Sequence, residues 1–110
     1  MGKQKPDMIR GTLDMLIMKV LSLEPMHGWG ICERIQLISH DDLQVNQGSL
    51  YPALYRLRDR GLIEGSWGVS PEGRRARFYK LTAAGRQAVA AEHEGWQLFT
   101  AAVNRVIAAT

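Results

Sequence analysis

Cysteine is nearly missing from this chain. Cys32 is the single thiol in 110 residues, which excludes an internal disulfide and any zinc site built on paired cysteines, and which suits a reducing compartment such as the cytoplasm. With no second cysteine to resolve a sulfenic acid, Cys32 reads as a small buried residue rather than a redox sensor. Long apolar runs are missing too. Residues 1–7 carry Lys3 and Lys5 but lead into no such run, so neither a signal peptide nor a membrane span is expected. His27, His40 and His93 are too scattered for metal-ligand spacing; capping, turn or surface roles are expected of them, and no bound metal. A Ser/His/acid set, a carboxylate pair and a phosphate-binding glycine loop are all lacking, which argues against an enzyme, and no cofactor is expected. Aromatic residues make up only 7% of the chain. A domain this small buries a modest fraction of its surface, so a partner chain would help its stability.

What is present is enough for one core. The chain is 45% hydrophobic and 23% charged, the balance of a globular domain. Its net charge of +3 is unevenly spread. Residues 1–55 hold five Lys/Arg against six Asp/Glu, residues 56–86 hold eight against three, and residues 87–110 hold one against two. The middle third, at net +5, therefore suggests either a footprint for a polyanion or a solvated basic face.

Hydrophobic spacing gives the order of elements. Leu13, Leu16, Ile17, Val20 and Leu21 recur at helical steps across residues 12–23, and Pro25 stops that helix. Residues 26–28 read as a turn. A second helix carries Ile31, Ile35 and Ile38, with Gly28 and Gly30 at its start allowing close backbone approach. Asp41 and Asp42 break the pattern, and residues 43–45 suit a short strand. The third helix is framed on both sides: Ser49 as N-cap, Pro52 in the first turn, Gly61 just past the end. Its inward stripe is Leu50, Ala53, Leu54 and Leu57, which leaves Tyr51, Pro52, Tyr55, Arg56, Arg58 and Asp59 pointing elsewhere. Asp59 would pair with Arg56 or another nearby arginine. Residues 62–67 and 76–81 read as a β-hairpin around a glycine- and proline-containing turn. Thr82 then caps a last helix reaching toward Ala109. Along it Val89, Trp96 and Val103 are seven apart, as are Phe99 and Val106, so a seam for a second copy is expected, broken only by Glu92.

The expected fold is mainly α with a small β-hairpin, a winged helix-turn-helix over residues 1–81 followed by a long dimerisation helix over 82–110. In that arrangement the third helix enters a DNA groove with the hairpin beside it. The free N–H groups and partial positive charge of a helix N-terminus attract phosphate, and Gln47, Ser49, Tyr51 and Tyr55 would add amide and hydroxyl contacts. The hairpin brings Arg74, Arg75, Arg77 and Lys80, whose cations can bridge phosphates or enter a narrow minor groove. The opposing view has both tyrosines packed under the wing and the arginines merely solvated. A winged helix that binds only another protein is the rival function, and it would be insensitive to salt where DNA binding is not.

Four ordered motifs resemble those of the PadR family of transcriptional regulators. They are Pro25-Met26-His27-Gly28-Trp29-Gly30-Ile31, then Gln47-Gly48-Ser49-Leu50-Tyr51-Pro52-Ala53-Leu54-Tyr55-Arg56-Leu57, then Gly61-Leu62-Ile63, then Arg77-Phe78-Tyr79-Lys80-Leu81-Thr82-Ala83-Ala84-Gly85. Trp29 departs from the tyrosine frequent in that family. The resemblance implies a bacterial repressor that binds a palindromic operator of double-stranded DNA as a homodimer and leaves it when a small hydrophobic effector binds. It assigns DNA contact to Gln47, Ser49, Tyr51, Pro52, Arg74, Arg75 and Arg77, and the dimer to the last helix aided by the first. Trp96 and Phe99 would then be either dimer core or the lining of an effector pocket.

Overall fold

A computed structural model describes the backbone of residues 6–110 and the side chains of residues 11–110; Lys3 and Lys5 lie outside the described residues. Helix α1 (Pro6–Leu23) begins earlier than its apolar stripe. Leu13, Ile17, Met18, Val20 and Leu21 are buried, and this helix is the hub, packing against α2, α3, α4 and β3. Leu16 is only partly buried and turns toward α4.

Met26 and His27, expected as a turn, form strand β1, which pairs antiparallel with β3 at Met26↔Tyr79 and His27↔Phe78. Helix α2 (Gly28–Ile38) follows at once. Its N-cap is His27, whose Nδ1 accepts the Gly30 N–H at 3.0 Å. Ile31, Cys32 and Ile35 are buried, but Ile38 is 55% exposed, because the helix has by then run past the core. Gly28 admits a side chain, not a backbone: a methyl group there would stand 2.7 Å from the Tyr51 hydroxyl. Residues 43–45 form no strand. His40 and Asp41 turn the chain through positive φ, Ser39 Oγ accepts the Leu43 N–H at 3.0 Å, and β1 already occupies that edge of β3.

Helix α3 (Gln47–Asp59) is capped by Asn46, whose Oδ1 accepts the Ser49 N–H at 2.8 Å. The expected cap, Ser49, is thus the third helical residue, and Pro52 falls in the second turn, leaving the exposed Gly48 carbonyl without its i+4 donor. Leu50, Ala53, Leu54 and Leu57 are fully buried, as their spacing requires. Past the Arg60 C-cap, Gly61 takes φ 74°. Its N–H reaches the Arg58 carbonyl, and the Leu62 N–H reaches the Leu57 carbonyl, both at 2.9 Å. This paired closure turns the chain directly into the hairpin.

Strands β2 (Ile63–Val69) and β3 (Arg75–Leu81) pair from Ile63↔Leu81 to Val69↔Arg75, completing a sheet of order β1-β3-β2. Thr82 joins sheet to helix: its hydroxyl accepts the Gly85 N–H at 3.0 Å and donates to the Gly61 carbonyl at 2.7 Å. Helix α4 (Ala83–Ile107) starts against the core, with Gly85 so close to the Leu62 carbonyl that no Cβ would fit. Ala88 and Val89 pack against the core, while Trp96, Phe99, Val103 and Val106 in its distal half are exposed. Glu92 is not part of that outer seam; it is partly buried within reach of Arg60 and Asp14. Among the described residues no helix is long and apolar enough to cross a membrane.

Candidate nucleic-acid interface

Strand alternation sorts the hairpin into two faces. One carries Ile63, Gly65, Trp67 and Val69 with Arg75, Arg77, Tyr79 and Leu81; the other carries Glu64, Ser66, Ala76, Phe78 and Lys80. On the first face Ile63, Tyr79 and Leu81 close the core. Farther out the same face leaves the core behind and presents Trp67, which is 58% exposed. The Arg75 guanidinium lies 4.4 Å from the indole centroid and that of Arg77 5.6 Å. Arg77 also lies against Gly65, where an added Cβ would stand 2.8 Å from its Nε. That Nε is buried and, among the described residues, has no hydrogen-bond partner.

Helix α3 packs against strand β2 of the wing. Burial pushes the Tyr79 phenol above its usual range, Arg77 pulls it down, Tyr55 and Tyr51 push it up, and Arg58 pulls it down. Tyr51, Tyr55 and Arg58 of α3 and Arg77 of the wing thus lie within electrostatic reach of the Tyr79 hydroxyl. The Tyr51 and Tyr55 rings are 6.4 Å apart. Tyr51 is half-buried between the core and Gly28, whereas Tyr55 is 48% exposed, with the Arg58 guanidinium 5.2 Å over its ring.

Of the residues expected at the interface, Gln47, Ser49, Pro52 and Tyr55 are exposed on α3, and Arg74 is exposed in the turn beside Arg75. Tyr51 supports this surface more than it presents to solvent. Lys80 is set apart: it lies on the opposite face of the hairpin, across from Glu64. Arg56 is also withdrawn, since it donates to the Asp14 carboxylate of α1 at 2.9 Å. Asp59 pairs with Arg58, at 3.4 Å.

Trp67 and Tyr79 were not singled out by sequence reasoning, whereas capping was among the roles expected of His27, which caps α2. Trp67 becomes meaningful only once the register sets it opposite Arg77, and the edge-on contact of His27 with Phe78 at 5.3 Å only once β1 is in place. The two aromatic residues of α4 are also separated. Trp96 lines a cleft of about 440 Å³ between α1 and α4, with Met15, Leu16, Lys19, Val89 and His93 among its other walls. Phe99 lies outside that cleft, its ring 6.3 Å from that of Trp96.

The model of the transcriptional regulator PadR-like family matches residues 17–91 of this chain. A transcriptional regulator from Clostridium thermocellum superposes with a TM-score of 0.82 at 25% identity, over 94% of this chain and 97% of its own. A PadR-like transcription factor from Bacteroides fragilis superposes with a TM-score of 0.74 at 30% identity, over 91% and 94%. The uncharacterized protein X of Lysinibacillus sphaericus is 27% identical over 82 residues, 74% of this chain and 75% of that protein.

Proposed function

The chain belongs to the PadR-like family of transcriptional regulators, and from that premise we propose that it binds duplex DNA sequence-specifically as a homodimer and represses transcription from a palindromic operator. The observation that carries this reading is the shared face of α3 and the wing. Tyr55 and Arg58 on α3, and Arg77 beside Trp67 on the wing, all lie within electrostatic reach of the Tyr79 hydroxyl, which supports one polyanion touching both elements. Gln47, Ser49, Pro52 and Tyr55 address base edges and the adjoining backbone from α3, with Tyr51 behind them, while Arg74, Arg75 and Arg77 neutralise phosphate.

The homodimer is supported by the unmatched side of α4. Phe99, Val103 and Val106, with the outer side of Trp96, are exposed at heptad-like spacing, an arrangement that a second copy would bury. The two α3 helices would then address half-sites about 34 Å apart, one turn of duplex. The α1–α4 cleft, apolar and bounded by Trp96, is the place for a small hydrophobic effector. Cys32 is buried, and burial pushes its thiol up, so the chain carries no ready thiolate and suits a reducing cytoplasm.

Selection from a random-sequence duplex library tests this reading. Enrichment of a two-fold symmetric site with half-sites one helical turn apart is expected; recovery of no sequence above background would overturn it.

A further inference from the structure

A surface arginine is ordinarily a mobile cation, and immobilising it on a ligand costs side-chain entropy. Arg75 and Arg77 are not ordinary in this respect. Both guanidinium groups lie on one indole, at 4.4 and 5.6 Å from its centroid. Arg77 is further held by packing: its Nε is buried in the space that Gly65 leaves open and, among the described residues, has no acceptor. Trp67 itself is more than half exposed, so the core does not need it where it stands. A large apolar ring held in solvent by two cations is a costly arrangement for a surface that does nothing.

We infer that Trp67 is a positioning residue of the wing: its indole holds Arg75 and Arg77 as a preorganised pair that clamps the phosphodiester backbone of DNA. The inference rests on the DNA-binding reading above and adds to it a residue that carries no charge. Trp67 pays the ordering of two arginines during folding, so less remains to be lost on binding. Arg74, exposed in the turn beyond the indole, has no such ring contact among the described residues and contributes as an unsupported charge.

A double-mutant cycle tests this, with a short fluorescein-labelled DNA duplex of arbitrary sequence as probe and affinity read by anisotropy across a series of KCl concentrations. Trp67→Leu removes no charge, so its plot of log affinity against log salt should run parallel to wild type and about tenfold lower. Arg75→Ala should reduce the slope by about one, and should cost less in the Trp67→Leu background than in wild type. Trp67→Phe, which keeps an aromatic face, should recover most of the loss. The inference is overturned if Trp67→Leu binds like wild type, if the two substitutions are additive, or if Trp67→Phe falls as far as Trp67→Leu. A wild type with no salt-dependent affinity for the duplex would instead remove the DNA-binding reading, and the clamp with it.

Discussion

Arg56 of α3 donates to the carboxylate of Asp14 on α1 at 2.9 Å, and the Asp14 side chain is only 13% exposed. The bond anchors the third helix to the hub of the fold. A charge-assisted bond with one partner largely out of water is worth more than a surface pair. Asp14→Asn should lower unfolding stability by about 1–2 kcal/mol in urea denaturation. A variant as stable as wild type would show that the pair contributes nothing.

The cap of α2 is equally specific. His27 Nδ1 accepts the Gly30 N–H while the same ring meets Phe78 edge-on. His27→Ala removes both and should cost about 1 kcal/mol or somewhat more. His27→Asn, which restores a capping acceptor, should recover part of it. Equal losses for the two variants would mean that the aromatic contact, not the cap, matters.

These two contacts show where sequence reasoning reaches and where it stops. The stripe of Leu50, Ala53, Leu54 and Leu57, the closure at Gly61 and the cap at Thr82 were all legible, because periodicity and local chemistry encode them within one or two turns of chain. Strand β1 was not, since two residues carry no period and only the distant β3 makes Met26 and His27 a strand. The start of α3 was misplaced by three residues because Asn46 and Ser49 are both capable caps; Asn46 takes the role by holding extended backbone with its Oδ1 on the Ser49 N–H. At the interface, residue type pointed to the tyrosines and arginines, but separating Lys80 from Arg77 and joining Trp67 to it required the strand register.

Glu92 links α4 to the same region. Burial raises its carboxyl above the ordinary 4.5; Arg60 pulls it down and Asp14 pushes it up. Between the ordinary and the raised value the folded chain keeps a proton that the unfolded chain releases, so this group favours folding at low pH and loses that contribution as pH rises. The stability of wild type relative to Glu92→Gln should therefore fall from about pH 4 to pH 7. A difference that does not change with pH would contradict this.

The two tyrosines of α3 should separate by experiment. Tyr55 is exposed and Tyr51 is wedged against Gly28. Tyr55→Ala should weaken binding to the selected operator by about tenfold or more with little effect on unfolding. Tyr51→Ala should lower both, by about 1–3 kcal/mol in stability for a half-buried aromatic side chain. Loss of stability in Tyr55→Ala with unchanged binding would reverse the assignment.

The central claim is that α3 and the wing present a single surface to DNA. Titrating a duplex into isotope-labelled protein and following backbone amide shifts tests it residue by residue. The account predicts perturbations concentrated in residues 46–55 and 66–77, moving together at the same DNA concentration and weakening together as salt is added. Perturbations confined to the Glu64–Lys80 face or to α2, or the absence of any at low salt, would contradict it.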